Sequence, residues 1–198
     1  MNHKIKVVAL YGKAGAGKDT ILQRLMGEAY ADERFNEIIS CTTRPPREGE
    51  IDGVNYYFVT EEEFTHLVLT SQMLEATCFN RWYYGTPISS VNSEKINIGV
   101  FNPAGLAALL DDARLAVLPI HIYTDDKTRL LRQLNREKQP NVKEICRRFF
   151  ADEDDFEKLY MTLDDPDCLM YGVDNSFNAD HTAELVYSII DGVFGQNQ

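Results

Sequence analysis

Apolar positions along the chain fall into short runs that alternate with amphipathic stretches. The run IKVVAL (Ile5 to Leu10) is rich in β-branched residues and almost continuously apolar, which predicts a strand covered on both faces. After a glycine-rich turn, Ile21, Leu22 and Leu25 recur at helical spacing and predict a helix from Lys18. INIGVF and AVLPIHIY predict two further strands, with helical patterns over Ala104–Leu110 and Lys127–Lys138 after them in turn. Next come an expected helix from about Val142 to Leu159, a short strand near Cys168–Tyr171 and a last helix over Ala179–Phe194. Such alternation predicts an α/β fold, a parallel sheet with helices on its faces.

Residues 40–86 break the rhythm. They are rich in Tyr, Thr and Phe in short segments, with turns at Pro45-Pro46 and Asp52-Gly53, and predict a small, mostly-β insertion. A shorter flap, a lid over about residues 136–147, is expected between two helices. The organisation is read as one domain of 1–198, with its core in 1–39 and 87–198.

Composition narrows the partners. A formal net charge of −11 argues against binding nucleic acid, whose phosphate backbone such a surface repels. A local basic pocket for a small phosphorylated ligand remains compatible with it. The four cysteines are scattered, without a CxxC pair, and the four histidines are isolated, so neither a disulfide framework nor a zinc site is expected. The first residues run into a strand pattern without a secretory-leader layout, and no apolar run nears membrane-spanning length. A cytoplasmic protein with no membrane partner is expected.

The turn after the first strand carries chemistry. Gly12, Lys13, Ala14, Gly15, Ala16, Gly17 and Lys18 fit G-x-x-x-x-G-K between a strand and a helix, the setting that this phosphate-binding motif requires. Glycines let backbone N–H groups point inward, the helix N-terminus adds positive potential, and Lys18 reaches the outer phosphates. Asp19 stands where a Mg²⁺-ligating hydroxyl is usual. Two roles are open to it: favourable interaction with the helix dipole, or a metal ligand, with Thr20 sharing that task.

SCTTRPPREGEIDGVNYYF (Ser40 to Phe58) offers a second phosphate site. Arg44 and Arg47 flank a stiff Pro45-Pro46, Tyr56 adds a phenol, and Glu75, Tyr84 and Thr86 follow. Two arginines and tyrosines suit a monophosphate, and a carboxylate can accept the N1–H and N2–H pair of guanine. A basic loop on an aromatic surface hairpin is the plainer account of the same residues.

This segment resembles the guanylate kinase family, P-loop enzymes that transfer a phosphoryl group from ATP to GMP. The pattern T-T-R-x-P-R-x-G-E-x-x-G-x-x-Y-x-F is met from Thr42 to Phe58, and VTEEEF and the spacing from Glu75 to YYGT also fit. The resemblance implies a GMP or dGMP site in which Arg44, Arg47, Tyr56 and Tyr84 grip the phosphate. Glu75 and Thr86 would read guanine, and Ser40 would complete the site. It also implies ATP and Mg²⁺ as cofactors, with Lys18, Arg44, Arg136 and Arg148 as the catalytic cations.

Where that family carries an Asp-x-Asp pair after its base-binding segment, this chain has Val100 and Asn102. Asp19 is expected to restore the lost charge, and Asn102 to hydrogen-bond a base edge with looser specificity. A kinase of other or broad base preference, and a non-catalytic binding module, are the rival readings. Arg132 and Arg136, then Arg147 and Arg148, bracket EKQPN, where a solvated helix face paired with Glu144 or Asp152 is the alternative to a lid. The acidic run ADEDDF (Ala151 to Phe156) is expected to serve helix pairing and solubility rather than a metal.

Overall fold

The protein is described here by a computed structural model covering residues 4–27, 33–47, 49–79, 81–136, 138–162 and 171–195. Strand β1 (Ile5–Tyr11) is the centre of a five-stranded sheet. Around it lie β2 (Phe35–Glu37), β7 (Ile96–Val100), β8 (Leu115–Tyr123) and β9 (Tyr171–Asp174), in the order β2-β7-β1-β8-β9. Every pairing in it is parallel. Helices therefore cover both faces, as the alternation predicts.

β1 shows why its pattern is apolar throughout. Val8 and Leu10 point into a layer with Ile21, Leu25, Val186 and Ile190. Val7, Ala9 and Tyr11 point the other way, onto Leu106, Leu109, Phe156 and Leu159. The first layer is supplied by α1 (Lys18–Leu25) and α6 (Ala179–Phe194), the second by α3 (Pro103–Asp111) and α5 (Val142–Thr162). Asn97 is the polar exception in β7, fully buried. Its Nδ2 donates to the carbonyls of Lys6, Asn92 and Lys95, and its Oδ1 accepts from Asn36 Nδ2 and the Asn92 N–H. One satisfied amide thus ties β7 to β1, to β2 and to the loop before it.

The insertion forms a second sheet, β4-β3-β6-β5. Its strands are β3 (Cys41–Thr42), β4 (Tyr57–Phe58), β5 (Met73–Phe79) and β6 (Trp82–Pro87). It also holds a helix that the strand pattern did not predict, α2 (Glu61–Leu69). Thr60 and Glu63 form a reciprocal capping box at its start, and Phe64 is its buried anchor. Three consecutive glutamates masked a helical signal that the capping pair carries.

Element ends also differ from expectation. α4 (Asp126–Asn135) stops before Arg136. α5 runs on to Thr162. β9 begins at Tyr171, and Cys168 to Met170 of the expected strand lie outside the described residues.

Candidate functional site

The glycine loop joins β1 to α1, and its three glycines are there for lack of a side chain. A Cβ on Gly12 would lie 2.0 Å from the Ile122 carbonyl oxygen, one on Gly15 2.6 Å from the Arg129 carbonyl oxygen, and one on Gly17 2.4 Å from Asn175 Nδ2. Gly15 and Gly17 also have φ of 82° and 94°, left-handed values that favour glycine. The backbone can therefore curl tightly enough to face its N–H groups inward. Lys18 folds back over the curl, its Nζ donating to the Gly12 carbonyl at 2.8 Å and the Lys13 carbonyl at 3.4 Å. Burial lowers its pKa, an effect opposed by Asp19 and Asp152.

In front of the loop lies a cavity of about 600 Å³, within the usual range for a small-molecule site. Gly12, Ala14, Lys18 and Asp19 form one wall. Ser40, Tyr56, Glu75 and Tyr84 of the insertion form another, and Val100 to Gly105, with part of α5, complete it. Residues far apart in sequence thus meet in one concavity. Thr20 is exposed on α1 and does not line it: one residue along a helix turns a side chain by about 100°.

Glu75 is the deepest acid of the cavity, 8% exposed. Its Oε1 accepts from Thr86 Oγ1 at 2.8 Å, and Thr86 Oγ1 lies 3.3 Å from Ser40 Oγ. Burial pushes the Glu75 carboxyl up to about 7, although Thr86 favours the charged form. Burial, with the Glu75 charge nearby, pushes the Cys41 thiol up to about 12, so it is no nucleophile. Asn102 is half-buried and committed: Oδ1 caps α3 by accepting from the Gly105 N–H at 2.7 Å, and Nδ2 donates to Thr77 Oγ1 at 3.0 Å. Thr77 lines the same cavity, a polar residue that sequence reasoning missed because no motif marks it.

Three arginines cluster around Arg47, and none of the four is among the residues that line this cavity. Arg44 is clamped by Glu50, with Nη1–Oε2 and Nη2–Oε1 distances of 2.9 Å each, and its guanidinium lies 5.7 Å from the Tyr56 ring centre. Its buried Nε has no hydrogen-bond partner among the described residues. Burial opposes the charge of Arg44, but Glu50 and the Tyr84 phenol outweigh it and leave its pKa raised. Arg47 is lowered, first by burial and then by Arg44, Arg148 and Arg136. Four cations thus share one field, drawn from the insertion, the end of α4 and α5. Arg147 Nε pairs with Glu144 at 2.8 Å. Arg148 Nε pairs with Glu144 as well, at 2.7 Å, so the helix-face pairing expected of these arginines does exist. Burial pushes the Tyr56 phenol up to about 12, and Asp19 adds to the effect, which puts the acid of the glycine loop within electrostatic reach of the insertion.

Two further contacts reach the glycine loop. Asn175 is buried, and its Nδ2 donates to the Ala16 carbonyl at 2.8 Å while Arg132 Nη2 donates to the Asn175 carbonyl at 2.7 Å. From α5, Asp152 Oδ2 accepts from the Ala14 N–H at 2.7 Å, and Glu153 pairs with Lys13. The ADEDDF run is therefore not merely a solvated face. Packing of Phe156 into the core turns the residues just before it towards the loop. Among the described residues, no group of three His, Cys, Asp or Glu side chains is arranged to hold a metal. No helix among them is long and apolar enough to cross a membrane.

A family model described as guanylate kinase matches residues 4–168. The chain belongs to the guanylate kinase family. A guanylate kinase of Prochlorococcus marinus (strain MIT 9312) is 43% identical over 99 residues, which cover 50% of this chain and 52% of that protein. One from Streptococcus pyogenes serotype M3 (strain ATCC BAA-595 / MGAS315) is 41% identical over 100 residues, covering 50% and 46%. The chain spans about half the length of the curated relatives it matches. A crystal structure of guanylate kinase from Anaplasma phagocytophilum superposes with a TM-score of 0.68 at 18% identity, covering 98% of this chain and 89% of that one. That likeness speaks to the fold, the parallel sheet flanked by helices. Val100 and Asn102 line the same cavity as Asp19.

Proposed function

We propose that this chain phosphorylates a nucleoside monophosphate, GMP or dGMP, with ATP as the donor and Mg²⁺ as its counter-ion. One observation carries the reading: the glycine loop with Lys18 and the Glu75 carboxyl, held by Thr86, open into the same cavity, so donor and acceptor can be held end to end. The residues present fit the donor. The turn is bare of side chains where phosphates need close approach, and among the described residues Lys18 donates only to neutral carbonyls. Asp19 is the carboxylate of the loop that would face the ion, which needs few protein ligands beside phosphates. When bound, ATP supplies the phosphoryl group and Mg²⁺ neutralises charge on its oxygens.

The remaining work belongs to the chain. Glu75, once ionised, accepts from the guanine N1–H and N2–H edge, while Thr86 and Ser40 fix its orientation. Arg44, already braced by Glu50, and Arg47 hold the acceptor phosphate with Tyr56 and Tyr84. Arg136 and Arg148 spread positive charge over the group in transit, and Lys18 does so from the loop. Alignment and charge neutralisation account for the rate, with no covalent intermediate.

A second reading, wider base tolerance, is favoured by the neutral Asn102–Thr77 pair at the pocket wall. A binding module without catalysis is disfavoured by the intact glycine loop and Lys18. A coupled assay of ADP release with GMP, dGMP, AMP, CMP and dTMP separates the three. Turnover confined to GMP and dGMP is expected. Comparable rates with other bases would favour the second reading, and no turnover with any acceptor would overturn the enzymatic one.

A further inference from the structure

We infer that Asp152 is a specificity-determining residue of the donor subsite, setting how strongly the glycine loop takes the outermost phosphate of a nucleotide. The inference rests on the phosphotransferase reading above. Asp152 sits on the loop much as a ligand would. Its Oδ2 takes the inward Ala14 N–H at 2.7 Å, and Asp152, Ala14 and Lys18 line one cavity. An incoming phosphate seeks the same N–H and the same ammonium, and meets a charge of its own sign there.

The carboxylate is also placed so that it can give way. Arg129, 2% exposed, donates to Asp152 Oδ2 at 3.1 Å and to the Ala14 carbonyl at 3.1 Å. It keeps Asp126 at 2.9 Å and Glu153 at 3.6 Å if Asp152 turns aside, so no buried cation loses its last partner. The Ala14 carbonyl is held by Arg129 and by Gln133 Nε2 at 3.3 Å, which keeps the peptide in place whichever anion occupies its N–H. The donor's terminal phosphate therefore competes with a resident carboxylate rather than entering an open cradle. A shorter nucleotide, which puts less charge at that point, competes less.

The test is calorimetric titration of MgATP and MgADP, without acceptor, into the wild-type protein, Asp152→Asn and Asp152→Glu. The amide keeps an acceptor for the Ala14 N–H and removes only the charge. Asp152→Asn is expected to bind MgATP about tenfold more tightly or better, the size of one screened unit charge a few ångströms away. MgADP should gain less, so that the ATP-to-ADP affinity ratio rises. Asp152→Glu, which retains the charge, should stay near the wild-type ratio. Should the amide variant fail to fold, Asp152→Ser is read in the same way. Unchanged or weaker MgATP binding in a folded neutral variant, or equal gains for both nucleotides, overturns the inference while the wild type still phosphorylates its acceptor. If no protein in the set binds either nucleotide, the phosphotransferase reading falls and takes this inference with it.

Discussion

Glu75 concentrates the conflict between stability and recognition. A carboxyl that is 8% exposed and bonded to Thr86 is held up to about 7, well above its ordinary 4.5. Once pH passes 4.5 the unfolded chain loses this proton while the folded protein keeps it, so stability falls as pH climbs to about 7 and is level above. The gap corresponds to about 3 kcal/mol, at about 1.36 kcal/mol per pH decade. Glu75→Gln is isosteric and keeps an acceptor for Thr86. It should melt at a higher temperature than the parent at about pH 8 and match it near about pH 4. An equal difference at both pH values would show that burial of this charge is not the cause. Both the residue and its partner Thr86 were legible in the sequence, because the motif names their types and spacing. Thr77 was not, since a lone threonine on a strand carries no signal until Asn102 is folded against it.

Among elements, α5 carries most of the unexpected geometry. Its first turns carry Arg147 and Arg148, its middle sets Asp152 and Glu153 on the glycine loop, and Phe156 and Leu159 anchor it in the core. Adjacent residues on a helix point about 100° apart, and of the two neighbouring arginines it is Arg148 that bears on Arg47. Arg148→Ala is expected to lower kcat by about a hundredfold or more, the scale for losing one donor to a transition state. Arg147→Ala should stay within about twofold, because it gives up an exposed ion pair. Steady-state kinetics of both variants check this, and equal losses would refute the assignment. From sequence alone either arginine fits the lid. The phase of α5 is settled by where Phe156 and Leu159 pack, which periodicity indicates only to within a residue.

For the whole molecule, charge works at two ranges. The chain has a formal net charge of −11, yet Lys18 lines its cavity and four arginines share one local field. Long-range repulsion of a nucleotide by the whole surface is screened first, since the Debye length shrinks from about 30 Å at 0.01 M salt to about 10 Å at 0.1 M. The close arginine contacts lie well inside that length. The association rate of a nucleoside monophosphate should therefore rise as salt increases over this range, opposite to the behaviour of a basic phosphate-binding protein. Stopped-flow mixing at several salt concentrations measures it. A falling rate would mean that the local arginine field, not the net charge, governs the approach.

What the sequence determined by itself is whatever depends on neighbours along the chain. The order of the main core strands and helices follows from periodicity, and the tight curl of the turn from glycines that allow no Cβ. The insertion's recognition groups follow from the spacing of a compact motif. Only the tertiary structure decided which side chains meet across the sheet. Ala14 and Asp152 are 138 residues apart, and Asn175 and Ala16 are 159 apart. Such meetings depend on how α5 and β9 pack against β1 and β8. Packing is a property of the whole core, and no window of sequence contains it.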